Sequence, residues 1–441
     1  MRQDKLDAMT DHTGASASPI ALDALTVQEL TGLLEAVAGE LGRRSHRDAV
    51  PLSALDRWGR SMGVLGRSLG AGYARAWVPA AAPAVGRPRI CTLAPASSEP
   101  VQPGQPVQSA RSERLHPMTM YGIREGRPGS RWQALFEATW GAYRSWYASE
   151  GLEQRPDLAV GRGALSRYMP ELVPTWERLV RLGGGDELAA RMLSLWDPPA
   201  FAPGCSQLVT GGQSRALVRN YDYDPHLFEN VVYSSRFTRR RVIGTGDCLW
   251  GLLDGMNDDG LAVSLTYGGR RGTGVGFAIP LVVRYLLEVC ATVGEARAVL
   301  ERLPVAAAYN LTFSDRAGAV VTAFVAPDRR PEYFAAGLAT NHRGLVPDEP
   351  ERARRLGSVV RQDALRVLDR SAADPEDAVA AFLEPPLYNT AYSRGFGTLY
   401  TAVYRPDEGI VDYIWPDTTW TRSFDSPDET LEVVLREPVG P

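Results

Sequence analysis

The stretch Gly204-Cys205-Ser206-Gln207-Leu208-Val209-Thr210 decides how we expect the second half of this chain to fold. Residues 205–210 and 214–221 are both strand-like segments, and the glycine-rich sequence Gly211-Gly212-Gln213 separates them. Two such segments around a short glycine-containing turn predict a β-hairpin. The second segment ends in Arg219-Asn220-Tyr221-Asp222, so the hairpin would return polar side chains towards the cysteine at its start.

The length of the turn sets which residues of the hairpin face each other. With a three-residue loop, Thr210 pairs with Ser214 and Cys205 lies opposite Arg219. Directly opposed residues are about 5 Å apart at Cβ, so the guanidinium would reach the thiol. Asp222 is three residues further along and needs a local twist or a bulge to point the same way. A loop longer or shorter by one residue would break this register.

A cysteine in such surroundings is suited to nucleophilic chemistry. The pKa of a free cysteine is about 8.5, and a neighbouring guanidinium such as that of Arg219 lowers it. If the chain were cut before Cys205, its α-amino group, with a pKa of roughly 7.7–8.0, could accept the thiol proton. Asp222 would balance the positive charge. Before the cut, the thiol could attack the carbonyl of Gly204, which has no side chain to obstruct that carbon.

Composition and charge exclude several classes of protein. The chain has 441 residues, enough for two or three domains or for one large domain with an extension. Its formal net charge of -4 argues against a nucleic-acid-binding surface. Residues 1–19 lack the apolar segment of a signal peptide, and no run of about 18 apolar residues predicts a membrane span. A cytoplasmic location with reduced thiols is the expectation.

The cysteines and histidines do not suggest a metal site. The four cysteines lie far apart, and no Cys-x-x-Cys or Cys/His ligand spacing occurs among them. The five histidines are also scattered. We therefore predict that no metal is bound, and that Cys248 and Cys290 fill core space, as free cysteines commonly do.

The pattern of predicted elements indicates the domain organisation. Residues 1–112 are interpreted as an extension with one or two helices and a linker rich in Pro and Ala, and residues 113–441 as the main domain. Helices are predicted at 130–150, 169–182, 187–196, 279–290, 295–303, 349–368 and 375–382. Besides the hairpin, strands are predicted at 118–121, 261–267, 308–313, 319–325, 398–404 and 410–415. This order favours two packed sheets with helices outside them.

Four motifs in this order carry a family resemblance: Gly204-Cys205-Ser206, Arg219-Asn220-Tyr221-Asp222, Gly255-Met256-Asn257-Asp258-Asp259-Gly260-Leu261-Ala262 and Thr340-Asn341-His342. Together they resemble the acyl-CoA:6-aminopenicillanate acyltransferase family of autoproteolytic N-terminal nucleophile hydrolases. That family is related to the choloylglycine hydrolases and penicillin V acylases. The resemblance extends from about Leu115 to about Leu435, whereas residues 1–110 match nothing in the family.

The resemblance implies a fold and a set of catalytic residues. The implied fold is of the α+β class, a four-layer αββα sandwich of two antiparallel sheets, made as a precursor that is cut between Gly204 and Cys205. Cys205 would be nucleophile and base, with Arg219 and Asp222 as its direct partners. Asn341 would be the oxyanion donor.

Further pocket residues follow from the same resemblance. A second oxyanion donor would be a backbone N–H at Thr266 or Tyr267. Many choloylglycine relatives have asparagine at this position, so this chain departs from them in the side chain. Arg394 matches a further arginine that relatives carry late in the chain. His342 next to Asn341 is expected to be a structural residue or a wall of the substrate pocket.

The predicted function is that of an autoproteolytically activated cysteine amidohydrolase or N-acyltransferase. It would act on a linear amide through a thioester on Cys205, with hydrolysis and transfer left open. No bound cofactor is predicted, although a coenzyme A thioester could donate the acyl group. A small-molecule amide or acyl donor would be the partner, whereas nucleic acid and membrane are not expected partners. The two fragments would stay associated after the cut, and a homo-oligomer could form. The alternative is an uncleaved, non-catalytic protein of the same fold that binds or scaffolds in a biosynthetic pathway.

Overall fold

The computed structural model describes residues 112–199, 204–211, 215–270, 273–344, 347–371 and 373–439. The helices and the linker predicted before residue 112 lie outside these residues. No helix among those described is long and apolar enough to cross a lipid bilayer.

The first sheet has nine strands in the order β10-β9-β8-β7-β6-β5-β4-β1-β16. Its strands are β1 Glu113–Arg124, β4 Val231–Ser235, β5 Val242–Asp247, β6 Gly251–Asn257, β7 Ala262–Tyr267, β8 Tyr309–Ser314, β9 Val320–Ala326, β10 Arg329–Phe334 and β16 Glu429–Pro438. All neighbours are antiparallel except β1 and β4, which are parallel. The prediction of purely antiparallel sheets is wrong at this pairing. Between β1 and β4 the chain passes through several helices and the other sheet, and this long connection allows a parallel return.

The second sheet carries the predicted hairpin and has the strand order β11-β2-β3-β13-β14-β15, with β12 paired to β13. Its strands are β2 Gly204–Val209, β3 Leu217–Tyr223, β11 Leu338–Ala339, β12 Thr390–Ala391, β13 Phe396–Arg405, β14 Ile410–Trp415 and β15 Thr418–Ser423. The nucleophile candidate therefore lies in an interior strand of this sheet, between β11 and β3.

Helices cover the outer face of each sheet. The described helices are α1 Ser130–Tyr147, α2 Leu158–Tyr168, α3 Val173–Leu182, α4 Glu187–Leu193, α5 Ile279–Val289, α6 Val293–Leu300, α7 Pro350–Arg355, α8 Ser358–Arg370 and α9 Pro375–Phe382. Helix α5 packs on β6 and β7, while α8 and α9 pack on β2, β3, β11 and β13. The inner faces of the two sheets meet each other, where Gln207 donates to Thr312 at 2.7 Å and accepts from Ser264 at 2.6 Å. The predicted αββα sandwich is confirmed.

Glycines explain why the sequence pattern missed helix α2 and strand β5. Helix α2 was not predicted, because Gly161 and Gly163 weaken its helical signal. In the structure Gly161 allows a close approach, since a Cβ there would lie 2.5 Å from Oγ of Ser194. Strands β4–β6 were also missed. In β5, a Cβ on Gly244 would lie 2.2 Å from the carbonyl oxygen of Asp254 on the neighbouring strand. Because the two strands are so close there, the position accepts glycine and excludes the β-branched and aromatic residues that normally indicate a strand.

Candidate active site

The hairpin formed by β2 and β3 has a different register from the predicted one. Cys205 pairs with Tyr221, and Arg219 pairs with Gln207, so the predicted pairing of Cys205 with Arg219 is wrong. The connection is longer than three residues, because Val209 pairs with Leu217. The shift is two residues, and side chains alternate with a period of two along a strand, so Arg219 keeps the face of Cys205. Its Nη2 lies 3.4 Å from the sulfur.

Asp222 lies on the opposite face of the sheet from the Cys205 side chain. It pairs with Gly204, and its Oδ1 accepts a hydrogen bond from Thr398 at 2.7 Å. Its Oδ2 is 3.7 Å from the guanidinium of Arg361, a residue of α8 on the helical side. The bend that would turn Asp222 towards the thiol is therefore not found. Burial raises the pKa of the Asp222 carboxyl, which the charge of Arg361 and the Thr398 hydrogen bond partly offset.

Arg361 was not predicted, and it holds the backbone of the candidate nucleophile. Its Nη1 donates to the carbonyl oxygen of Cys205 and, at 2.7 Å, to Oγ of Ser206. Its Nη2 donates to Oδ1 of Asn341 at 2.6 Å. The side chain is almost completely buried. The only sequence signal is an arginine on the inward side of an amphipathic helix, and that signal does not identify its partners.

Asn341 connects the nucleophile strand to the other sheet. Its Oδ1 accepts the backbone N–H of Cys205 at 3.0 Å, and its Nδ2 donates to the carbonyl oxygen of Tyr267 at 3.3 Å. Thr266, one residue earlier in β7, donates its hydroxyl to the carbonyl of Thr340 at 2.7 Å. Asn341 therefore connects the backbone of Cys205 with Tyr267 at the end of β7.

His342 supports the Asn341 loop rather than the thiol. Its Nε2 is 2.9 Å from Oε1 of Gln362, which can only accept, so Nε2 carries the proton in this network. Its Nδ1 then accepts from Ser358 at 2.7 Å, and the same Ser358 oxygen accepts the N–H of Asn341 at 2.8 Å. Burial lowers the pKa of the imidazole. A neutral His342 thus links the loop that contains Asn341 to helix α8 through hydrogen bonds. These bonds hold Asn341 in its orientation.

Arg394 lies apart from this group of residues. It ends the short 3-10 turn Tyr392–Arg394, is exposed, and makes no hydrogen bond or ion pair within the described part of the chain. The structure does not bring it into contact with Cys205 or Asn341, and its assignment to the pocket stays a prediction.

The partner of Arg219 is a carboxylate on the opposing sheet, Asp254 in β6, and both side chains are fully buried. Tyr400 and Thr245 donate to the same carboxylate at 2.6 and 2.7 Å, and Tyr404 donates to it as well. Asp254 was not predicted, although an acid inside the apolar run directly before the Gly255–Ala262 motif is a usable signal. The pair holds Arg219 in place beside the thiol.

The surroundings of Cys205 are those of an enclosed, protonated thiol. The residue is fully buried, and burial raises the pKa of the thiol, while the charge and hydrogen bond of Arg219 lower it and Asp222 raises it. Gly204 packs against Phe396, and a Cβ on this glycine would lie 2.2 Å from the ring. Any side chain before Cys205 would therefore displace that ring.

Two acids lie near the site, the buried Glu229 and the half-buried Asp247. Tyr143 donates its hydroxyl to Glu229, which also accepts the N–H of Leu249 at 2.6 Å. Asp247 accepts the N–H of Cys248 at 2.8 Å. Burial, together with the charge of Asp247, raises the pKa of Glu229 to about 8, and burial raises the pKa of Asp247 to about 6. The second oxygen of Glu229 has no hydrogen-bond partner among the described residues.

Aromatic residues connect Glu229 with the strand opposite Cys205. Glu229 follows Phe228, whose ring centroid is 5.7 Å from that of Tyr221, and Tyr221 is the residue directly opposite Cys205. No group of three or more His, Cys, Asp or Glu side chains within the described residues could hold a metal ion.

Comparison with protein families agrees with the motifs. Residues 209–420 match the model of the acyl-coenzyme A:6-aminopenicillanic acid acyl-transferase family. The matched segment begins four residues after Cys205 and includes Arg219, Asp222 and Asn341. The resemblance predicted from the sequence is confirmed over these residues. The chain is accordingly an enzyme of the amide-hydrolase or acyltransferase class.

Solved structures with detectable similarity come from related classes of hydrolase. A mutant of conjugated bile acid hydrolase from Clostridium perfringens is 14% identical, with a TM-score of 0.35 over 52% of this chain and 96% of that one. A Caenorhabditis elegans N-acylethanolamine-hydrolyzing acid amidase ortholog is 16% identical, with a TM-score of 0.35 over 49% and 100%. Penicillin V acylase from Agrobacterium tumefaciens is 15% identical, with a TM-score of 0.28 over 50% and 78%. Similarity at these scores supports no conclusion about activity. No curated protein matches the chain significantly.

Replacing Asp254 with asparagine should leave the Arg219 charge buried without a counter-charge. Breaking a buried ion pair in this way costs about 3–5 kcal/mol in the free energy of unfolding. Urea denaturation of Asp254→Asn measures the loss. The matched control is Asp425→Asn, whose arginine partners Arg124 and Arg241 are both largely exposed. The free energy of unfolding of Asp425→Asn should fall by less than about 1 kcal/mol. Equal losses in the two variants would contradict the conclusion that Asp254 is the buried counter-charge of Arg219.

Glu229 should make the protein less stable as the pH rises. Its pKa is higher in the folded protein than its ordinary value of 4.5, so the folded state binds the proton more tightly. The resulting stability is present below about pH 4.5 and is lost as the pH approaches 8. Unfolding free energies at pH 5, 6.5 and 8 should therefore fall less steeply in Glu229→Gln than in the wild type. Glu351→Gln, at an exposed site, should show the same dependence of the unfolding free energy on pH as the wild type. If Glu229→Gln also shows the wild-type pH dependence, Glu229 is not the source of the pH effect.

Proposed function

We propose that this enzyme cuts its own chain between Gly204 and Cys205 and then uses Cys205 to hydrolyse or transfer the acyl group of a linear amide. The observation that carries the proposal is the convergence of three polar groups on one residue. Arg219 reaches the sulfur, Asn341 accepts the N–H, and Arg361 donates to the carbonyl of Cys205. They come from three separate parts of the chain. In an ordinary core strand, the backbone N–H and C=O groups are paired with neighbouring strands. Here side chains contact both groups as well as the sulfur.

Chain cleavage would begin with attack of the Cys205 sulfur on the carbonyl carbon of Gly204. The carbon–nitrogen bond between the two residues breaks, the thiol proton passes to the departing nitrogen, and a thioester forms. Water then hydrolyses the thioester, leaving a carboxylate on Gly204 and a free α-amino group on Cys205. Asn341 already accepts from that nitrogen at 3.0 Å, so the new amine would have a partner at once.

Turnover would use the new amine as the base. With an ordinary pKa of roughly 7.7–8.0, it can accept the thiol proton near neutral pH. The thiolate, beside Arg219, attacks the substrate amide carbonyl, and the leaving amine takes the proton. Asn341 Nδ2, which donates to the carbonyl of Tyr267 at 3.3 Å, would donate to the oxyanion. One such donor is worth roughly 3 kcal/mol in the transition state. Water or an amine resolves the acyl-enzyme, and a coenzyme A thioester could serve as the acyl donor.

The two fragments would remain together after cleavage. Strand β1, from the part before the cut, pairs with β16 from residue 113 to residue 122 and also with β4. Helices α1 to α4 belong to the same fragment, and Trp132 and Leu193 of that fragment are buried in the common core. Separating the fragments would expose this core to water, which is unfavourable in proportion to its apolar area.

Purified wild-type protein should appear as fragments of 204 and 237 residues, the second being 441 minus 204. Cys205→Ala should stay at full length because the attacking sulfur is missing. Intact mass spectrometry and N-terminal sequencing of the larger fragment, starting Cys205-Ser206-Gln207, measure this. Cys290→Ala, a buried cysteine away from the site, should be cut normally. Active wild-type protein with an intact chain would refute the mechanism, and Cys205→Ala with full biological effect would favour an uncleaved binding protein.

Arg361→Gln should slow the cut, because Cys205 and Asn341 would lose their shared positioning group. A hydrogen bond to a charged group is worth about 1.5–3 kcal/mol, so the cleavage rate should fall on the order of tenfold or more. The rate is followed on denaturing gels after expression of the precursor, with urea denaturation as a check on folding. Arg370→Gln, at the exposed end of the same helix, should cleave at the wild-type rate. A wild-type rate in Arg361→Gln would remove this arginine from the mechanism.

A further inference from the structure

A cavity of about 180 Å³ lies at the end of the sandwich remote from Cys205. Three hairpin turns line it: Arg215 comes from the β2–β3 turn, residues 314–318 from the β8–β9 turn, and residues 406–407 from the β13–β14 turn. Cys205 is at the other end of β2, roughly 17 Å away at about 3.3 Å per residue. The cavity therefore does not belong to the candidate active site.

Two hydrogen-bond donors among the lining residues, Ser314 and Arg215, have no hydrogen-bond or ion-pair partner within the part of the chain that the structure describes. The Ser314 side chain is 1% exposed, and its hydroxyl makes no hydrogen bond within the described residues. A buried hydroxyl without a hydrogen bond is unfavourable unless a ligand or a water molecule forms that bond. Arg215 forms no ion pair with any described residue, and its Nη1 lies close against the turn, 3.0 Å from where a Cβ on Gly318 would be. Gly318 has a φ of +91°, which favours glycine at this position.

The two carboxylates in the lining already have partners. Asp315 accepts the backbone N–H groups of Val293 and Ala319 at 2.9 and 3.0 Å. Asp407 lies 3.7 Å from the guanidinium of Arg316, and both side chains are more than half exposed. These last two charges offset each other in solvent, whereas the charge of Arg215 is not offset by a described neighbour.

We propose that this cavity binds a tetrahedral oxoanion, either inorganic phosphate or the phosphate of a monoester. Arg215 would donate from the second sheet and Ser314 from the first, with Arg316 at the rim. A planar carboxylate binds well to one guanidinium group, which donates two parallel hydrogen bonds. Donors that approach from separate elements are better suited to a tetrahedral oxoanion, because its oxygens point in several directions. The bound anion would tie the two sheets together at this end, so its effect is on stability rather than on turnover.

Isothermal titration of the full chain with inorganic phosphate at low ionic strength tests the site. The wild type should bind phosphate and show a thermal midpoint that rises with its concentration, because the ligand binds the folded state. Arg215→Gln should lose tenfold or more in phosphate affinity, and Ser314→Ala several-fold. Ser314→Ala removes a hydroxyl without a partner, so it should fold normally. Arg181→Gln, an exposed arginine at the end of α3, should bind like the wild type.

Parallel titrations with glycerol 3-phosphate, sulfate and acetate identify the ligand class. Tighter binding of glycerol 3-phosphate than of phosphate supports a monoester, and equal or weaker binding supports the free ion. Sulfate binding that also depends on Arg215 supports an oxoanion site. Acetate that binds as tightly as phosphate would overturn the preference for a tetrahedral ligand. Phosphate affinity that is absent in the wild type or unchanged in Arg215→Gln would overturn the site itself.

Discussion

The buried ion pair between Arg219 and Asp254 is the interaction on which the candidate site depends. Arg219 belongs to the sheet of the nucleophile and Asp254 to the opposing sheet, so the pair crosses the interface at the centre of the sandwich. Two buried charges are tolerated there only when each has the other and further hydrogen bonds, which Tyr400, Tyr404 and Thr245 supply. With one guanidinium nitrogen held by Asp254, the other is directed at the Cys205 sulfur.

The site is assembled from both faces of one sheet. Arg219 approaches Cys205 from the face between the sheets. Arg361 lies on the helical face beside Asp222 and donates to the carbonyl oxygen of Cys205. Asn341 connects the two, because its oxygen contacts the strand and its nitrogen contacts the end of β7. Arg219 and Arg361 thus contact different parts of Cys205: Arg219 contacts the sulfur, and Arg361 contacts the carbonyl oxygen.

The errors in the sequence-based site have simple geometric causes. The hairpin was recognised, and its register was wrong by two residues because the turn is longer than its glycines suggest. Arg219 nevertheless reached the thiol, since a shift of two residues preserves the face of a strand. For Asp222 the odd separation from Arg219 put the side chain on the other face, and no bulge reversed it. His342, next to Asn341, acts through Ser358 and Gln362 of α8, which no local pattern connects to it.

Strand alternation, turn composition and ordered motifs are local properties, so the sequence was enough to predict the class of fold, the family resemblance and the residues close to Cys205 along the chain. Asn341 was expected from the motifs, but only the tertiary structure placed Asp254 and Arg361 in the group around Cys205. Asp254 and Arg361 are separated from it by 49 and 156 residues and belong to a facing strand and a covering helix. Their roles arise from packing two sheets and a helix layer together, and only that packing removes the water that would otherwise screen their charges.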